Sequence, residues 1–308
     1  MDINDELALK GLSGPVLGGE PALRSFSLPN GARVAVSVQL AFEAWSPNVV
    51  AGNNIQGTGL SAEAISKGVL DYASLSWQDY GGRTGMWRIL RVLDKCGVKA
   101  SCSVSGLAAE RWPKLVAAIA QEGHEIVGHG YAQDRKMSDM DEVEDLDVVT
   151  RSTEILESVS GQRPVGWSSH GSRRGNYTVL NLLKNGYIYT NDFRDADVPY
   201  VVAEMNGSKM VALPRSDEIN DSFLVRSHGA TPSAFVDFFK RCIDQLHEEG
   251  ADEPKAMTCV AHGVIFGRPW GGTALAECLD YAKQLEGVWL CTRRELAEYS
   301  LGVLGKEG

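Results

Sequence analysis

The chain has 308 residues, 44% hydrophobic and 23% charged, enough to bury a large core. Forty acidic residues against thirty basic ones give a formal charge of −10; that balance disfavours nucleic acid or an anionic membrane as the main partner, because phosphate binding needs clustered Lys and Arg. No stretch approaches the roughly 18 apolar residues of a membrane span, and the acidic, then Gly/Pro-rich start lacks the basic and apolar run of a secretory signal.

Residues 1 to about 32 read as an irregular lead-in. "ARVAVSVQLAF" (Ala32–Phe42) predicts a buried strand, β-branched and nearly continuous. A Gly-, Asn- and Ser-rich excursion follows from Trp45 to Tyr80, and segments of that kind are often functional. "RTGMWRILRVLDKCG" has helical spacing, with Met86, Ile89, Leu90 and Leu93 on one face and Gly97 as its stop. Then come a strand ("KASCSVSG"), a helix ("ERWPKLVAAIAQEG"), a strand ("HEIVGHG") and a helix ("MDEVEDLDVVTRSTEILESVSG"). The style repeats with strands "PVGWSSHG", "YIYTND", "KMVALPRS", "AMTCVAHG" and "VWLCT". Helices "YTVLNLLKNG", "PSAFVDFFKRCIDQLHEEG", "GTALAECLDYAKQLEG" and "RRELAEYS" lie among them. Strands alternating with glycine-ended helices imply parallel β/α units and an α/β barrel, closed or slightly open, of about seven pairs. With no repeat or linker, one domain over residues 1–308 is expected. The six cysteines form no CxxC pair and read as buried thiols, which with the start of the chain suggests a cytoplasmic protein.

In a parallel barrel the chemistry sits at the carboxyl ends of the strands. There this sequence delivers Glu43, His129, His170, Asn191 with Asp192, Asn220 with Asp221, and His262. Each has a bland alternative: a strand-end histidine can be a structural hydrogen-bonding group, and aspartates can be turn residues or caps. Trp167 reads as wall.

The order of these strand ends resembles the polysaccharide deacetylase superfamily, from about Gly31 to Tyr299, and within it the metal-independent allantoinase branch. The fragments that carry the likeness are "NGARVAVSVQLAFEAW", "DYGGRTGMWRIL", "HEIVGHGYAQD", "RPVGWSSHGS", "GYIYTNDFRDADVPYVV", "HGVIFGRP" and "LEGVWLCTRRELAE". The resemblance implies a distorted (β/α)7–8 barrel that hydrolyses amide C–N bonds, with Glu43, His129 and His262 catalytic. It also implies a pocket drawn from Arg83, Trp77, Gln133, Trp167, His170, Asp192, Asn220 and Arg268. Metal-dependent members carry two carboxylates after the first strand and a His-x-x-x-His pair. Here the first is reduced to Glu43 beside Ala44, and the second to His129 with Gln133 four residues on. A catalytic zinc usually needs three protein ligands, so no metal is expected, Glu43 and His129 being the fallback zinc ligands.

The expected activity is ring opening of a small cyclic amide, ureide or imide. Glu43 would act as base, His129 would position water or stabilise the oxyanion, and His262 would protonate the leaving nitrogen. A planar Arg83 or Arg268 guanidinium suits ureide oxygens. The alternatives are a metal-dependent N-deacetylase and a non-catalytic protein that binds a small ligand. A small-molecule substrate and self-association as a dimer or tetramer complete the expectation.

Overall fold

The computed structural model describes residues 26–46 and 60–304. Most of the expected lead-in, and residues 47–59 of the excursion, lie outside the described residues. At the centre is β1 (Val34–Phe42), with all nine residues buried. A strand covered on both faces needs such a continuous apolar run. It pairs in parallel with β2 (Ser101–Val104) along Gln39–Phe42, with β8 (Lys255–His262) along Val34–Ala41, and with β9 (Val288–Cys291) along Val34–Ser37. On the far side of β2, parallel pairing continues through β3 (Glu125–Gly128), β4 (Gly166–Trp167), β5 (Tyr189–Thr190) and β7 (Ser208–Ala212). The sheet curls into a half-barrel with helices on its outer face, a distorted (β/α) barrel.

Helix boundaries follow local chemistry. Glycines at positive φ close α3 (Met86–Cys96) at Gly97 and α6 (Glu142–Ser160) at Gly161. A capping box between Asp141 and Glu144 opens α6. The helix expected over residues 110–123 is divided into α4 (Gly106–Arg111) and α5 (Pro113–Gln121). Pro113 lacks an N–H and pushes Trp112 out of helical geometry. The described end of the excursion is helical too, with α1 (Ala62–Ser66) and α2 (Tyr72–Tyr80). A strand that the periodicity missed, β6 (Tyr200–Met205), forms a hairpin with β7 and is antiparallel to it. Asn206 and Gly207 both have positive φ in the turn, the geometry that favours Asn-Gly between paired strands.

The remaining helices, α7 (Thr178–Lys184), α8 (Pro232–Glu249), α9 (Pro269–Gln284) and α10 (Arg293–Leu304), complete the outer layer. No described helix is long and apolar enough to cross a membrane. All six cysteines are free.

The "YGGRTG" stretch earns its glycines by packing. Residues Gly81–Gly85 form one π-helical turn between α2 and α3, with Gly81, Gly82 and Gly85 buried. A methyl group on Gly85 would overlap the carbonyl oxygen of Gly263, and one on Gly82 would overlap the Trp112 ring. This turn is thereby pressed against the loop that follows His262. Gly85→Ala is expected to cost about 1–3 kcal/mol by overpacking, lowering Tm by roughly 2–10 °C. Gly302→Ala, inside α10 with open space around it, is expected to be neutral or stabilising. Calorimetric melting of the two variants checks the contrast.

Candidate active site

Glu43 is the first residue beyond β1 and His129 the first beyond β3. The sheet curl brings them together: His129 Nε2 lies 3.1 Å from Glu43 Oε1. The opposite ring nitrogen, Nδ1, lies 2.5 Å from the Ser168 carbonyl oxygen. Both neighbours are acceptors, so both contacts are satisfied when each ring nitrogen donates. His129 thus faces the Glu43 carboxylate with its ring fixed from the end of β4.

Three imidazoles set the charge of Glu43. Burial pushes its carboxyl upward. The hydrogen bond from His129 and the fields of His262, His129 and His170 outweigh that and bring it down to about 2. Glu43 is therefore ionised across the working range of most proteins.

His262 ends β8, in register with Ala41 of β1. Its Nδ1 donates to Asp221 Oδ1 at 2.6 Å, while its backbone N–H and that of Phe266 donate to Asp221 Oδ2. One fully buried carboxylate thus clamps both the ring and its loop, leaving Nε2 turned away from Asp221. Burial lowers the proton affinity of His262, but Asp221 and then Glu43 reverse this and raise it above its ordinary 6.5. His170 opens a 3-10 turn after β4. Burial holds it below the ordinary imidazole value despite the opposing field of Glu43. Its Nδ1 is buried without a hydrogen-bond partner among the described residues.

Glu43, His129, His170 and His262 form one electrostatic cluster. Gln133 is tied to it through Nε2, which donates to the His129 carbonyl at 2.8 Å, while its Oε1 is buried with no partner among the described residues. Trp167 and Asp192 lie underneath. The buried Trp167 indole and both Asp192 oxygens hold Ser169, which precedes His170. Asn220 accepts from the Ser222 backbone and bridges β8 at Val260. Arg268 stacks on the Tyr80 ring, 3.6 Å from its centroid, at the start of α9. Trp77, on α2, packs against the main core.

Arg83 is set apart from the cluster: its side chain is 68% exposed and paired with Asp79 at 3.3 Å. The "YGGRTG" turn buries its glycines and turns its arginine to solvent. Sequence reasoning placed Asp221 at a strand end and gave it no role. Its signal was adjacency to Asn220 in a polar run opposite a strand-end histidine, but only the fold supplies the partner.

A metal fits this donor set poorly. Ala44 offers no donor, Gln133 spends its amide nitrogen on a backbone carbonyl, and both His129 nitrogens are engaged. No group of three or more His, Cys, Asp and Glu residues suited to a metal occurs among the described residues, against the three protein ligands usual for catalytic zinc.

A raised His262 means that folding favours its protonated form. That contribution to stability is full below about 6.5 and is lost as pH rises through the folded-state value. Glu43 contributes in the opposite sense, fully above 4.5 and lost as pH falls towards 2. Asp221→Asn removes the charge that raises His262. Imidazole NMR titration, with only six histidines to assign, should show a His262 midpoint above 6.5 in the native protein and a lower one in the variant. An unchanged midpoint would remove Asp221 from this role.

The comparisons agree with this geometry. The polysaccharide deacetylase family profile matches residues 71–189. A Schizosaccharomyces pombe protein carrying a polysaccharide deacetylase name is 28% identical over 236 residues, 71% of this chain and 73% of its own length. Among solved structures, a Pseudomonas aeruginosa PAO1 protein described as a probable polysaccharide deacetylase superposes with TM-score 0.83 at 27% identity, covering 93% of this chain and 97% of that one. PuuE allantoinase superposes with TM-score 0.77 at 26% identity, covering 92% and 95%. Fold, strand-end residues and these matches together make the chain similar to the polysaccharide deacetylases and support a hydrolase acting on carbon–nitrogen bonds other than peptide bonds.

Proposed function

We propose that the protein opens the ring of a small cyclic amide, ureide or imide by hydrolysis, without a metal. The observation that carries this reading is the hydrogen-bonding contact of Glu43 with His129 at 3.1 Å, in a cluster that holds a second, carboxylate-anchored imidazole at His262. Water attacks the ring carbonyl, and its proton passes to Glu43. A carboxylate near 2 is a weak base towards free water. It accepts readily once the water oxygen is bonding to carbon and has become positively charged. Of the two roles open to His129, the 3.1 Å contact favours positioning: it fixes one carboxylate oxygen and leaves Oε2 for the water. His262, kept protonated by Asp221, gives its proton to the ring nitrogen as the C–N bond breaks. The unpartnered Nδ1 of His170 is the group that meets a ring N–H or carbonyl oxygen.

Without Lewis-acid activation, the leaving nitrogen must be a good one. A ureide or imide nitrogen, with a second carbonyl to take its charge, meets that need better than an acetamido nitrogen on a sugar. The second reading, a metal-dependent N-deacetylase of a small or saccharide amide, is favoured by the names of the relatives. On that reading Glu43 and His129 would be ligands. A small-molecule substrate, self-association and a cytoplasmic setting belong to the same proposal.

Purified protein, before and after chelation, assayed against cyclic ureides, imides and N-acetylated sugars separates the readings. Ring opening that survives chelation is expected. Turnover of acetylated sugars alone, abolished by chelation and restored by zinc, overturns the proposal. Glu43→Gln should lower kcat/KM by about 100- to 10,000-fold, the usual worth of acid–base assistance. Because His262 acts in its protonated form, kcat/KM should fall as pH rises through a midpoint above 6.5. The acid limb should lie far lower, where Glu43 protonates.

A further inference from the structure

Beside the catalytic cluster is a cavity of about 210 Å³, bounded on one side by His129 and His170. Its apolar lining is Met137, Met140, Val148 and Ala132. The polar side chains that line it have other commitments. Both Arg135 terminal nitrogens bind the two Glu144 oxygens, at 2.8 and 2.6 Å. Both Asp134 oxygens accept from the Ser46 backbone, at 2.8 and 3.1 Å. The Tyr131 hydroxyl donates to Glu110 at 3.0 Å, and Arg151 covers a face of its ring. Beyond the two histidines and Ser46, the polar side chains described at the lining spend their donors and charges on contacts within the protein.

We propose that this cavity is a specificity subsite for a compact apolar substituent on the substrate ring. The inference rests on the ring-opening reading and names its substrate class: a cyclic ureide or imide whose carbon next to the reacting carbonyl carries an aliphatic, thioether or benzyl group. The reasoning is one of pairing. A ureido tail, as in allantoin, or a sugar hydroxyl placed against two thioethers would surrender its hydrogen bonds to water and recover few of them. An apolar group gives up nothing and is drawn from water. Two methionines at the wall let several shapes fit, since the thioether chain is flexible and polarisable.

The test uses hydantoin, allantoin, 5-isobutylhydantoin, 5-(2-methylthioethyl)hydantoin and 5-benzylhydantoin. kcat/KM is measured with the native protein and Kd by calorimetry with Glu43→Gln, or with the native protein for any compound it does not turn over. Each buried methylene is worth about fourfold, so the apolar derivatives should exceed hydantoin and allantoin by roughly 10- to 100-fold. Met140→Gln, at a half-buried position, should collapse that ratio towards one, and Met140→Leu should preserve it. Allantoin or plain hydantoin binding as tightly as the apolar derivatives overturns the subsite, whatever is turned over. Preference in Kd with no ring opening upholds the subsite and overturns the reaction assigned above; ring opening with no preference does the reverse.

Discussion

The contact between the Glu43 carboxylate and the His129 imidazole is the constraint on which the site depends. Two strand ends, separated in the sheet by β2, deliver the partners, so the 3.1 Å approach exists only while the sheet keeps its curl. The curl is set from below. Gln39 donates to Ser103 and Ser168 and accepts from Asn191, tying four strand regions together inside the barrel. Ser168, held in this way, also turns its carbonyl towards His129. A polar interior would be costly if left unpaired. Here its hydrogen bonds hold the strand ends in register, and the charged cluster rests on them.

A second pair balances the first. Asp221 does for His262 what Ser168 and Glu43 do for His129: it fixes the ring and settles which form is favoured. The two imidazoles nevertheless have different anchors. His129 shares its proton with the carboxylate proposed as base, whereas His262 is tied to a buried carboxylate that faces away from the reaction. Separate anchors allow an acid and a base to sit in one cluster without neutralising each other. This is the environmental splitting of proton affinities on which acid–base hydrolases rely.

Most of the architecture was legible in the sequence because burial on both faces leaves a plain signature. The run Val34–Phe42 and the glycines at 97 and 161 announce a central strand and two helix ends without any tertiary information. What escaped notice depended on pairing at a distance. The β6 segment is only partly buried, with its core-facing pattern interrupted by Glu204, and the stronger local signal was the Asn206–Gly207 turn. Asp221 looked like one of several loop carboxylates, and only the approach of β8 distinguishes it. Arg83 shows the opposite situation. The glycines around it are held by close backbone packing, and an arginine embedded in a functional-looking motif was read as part of the function.

The substitution at Gln133 bears on more than ligand count. A histidine at that position would add a fourth imidazole to a cluster whose Glu43 already faces three. On the proposed reading, further positive charge beside His262 would make it harder to keep that ring protonated, and the acid proposed for the leaving nitrogen would weaken. A neutral carboxamide avoids this while still bracing the His129 backbone through its nitrogen. Ala44 follows the same logic in reverse. A second carboxylate there would compete with Glu43 for the His129 proton and raise the carboxyl whose ionised form the chemistry needs. On the proposed metal-free reading, the two departures from the metal-binding pattern act in concert. One withholds a positive group and the other a negative one, and the single Glu43–His129 pair is left undiluted.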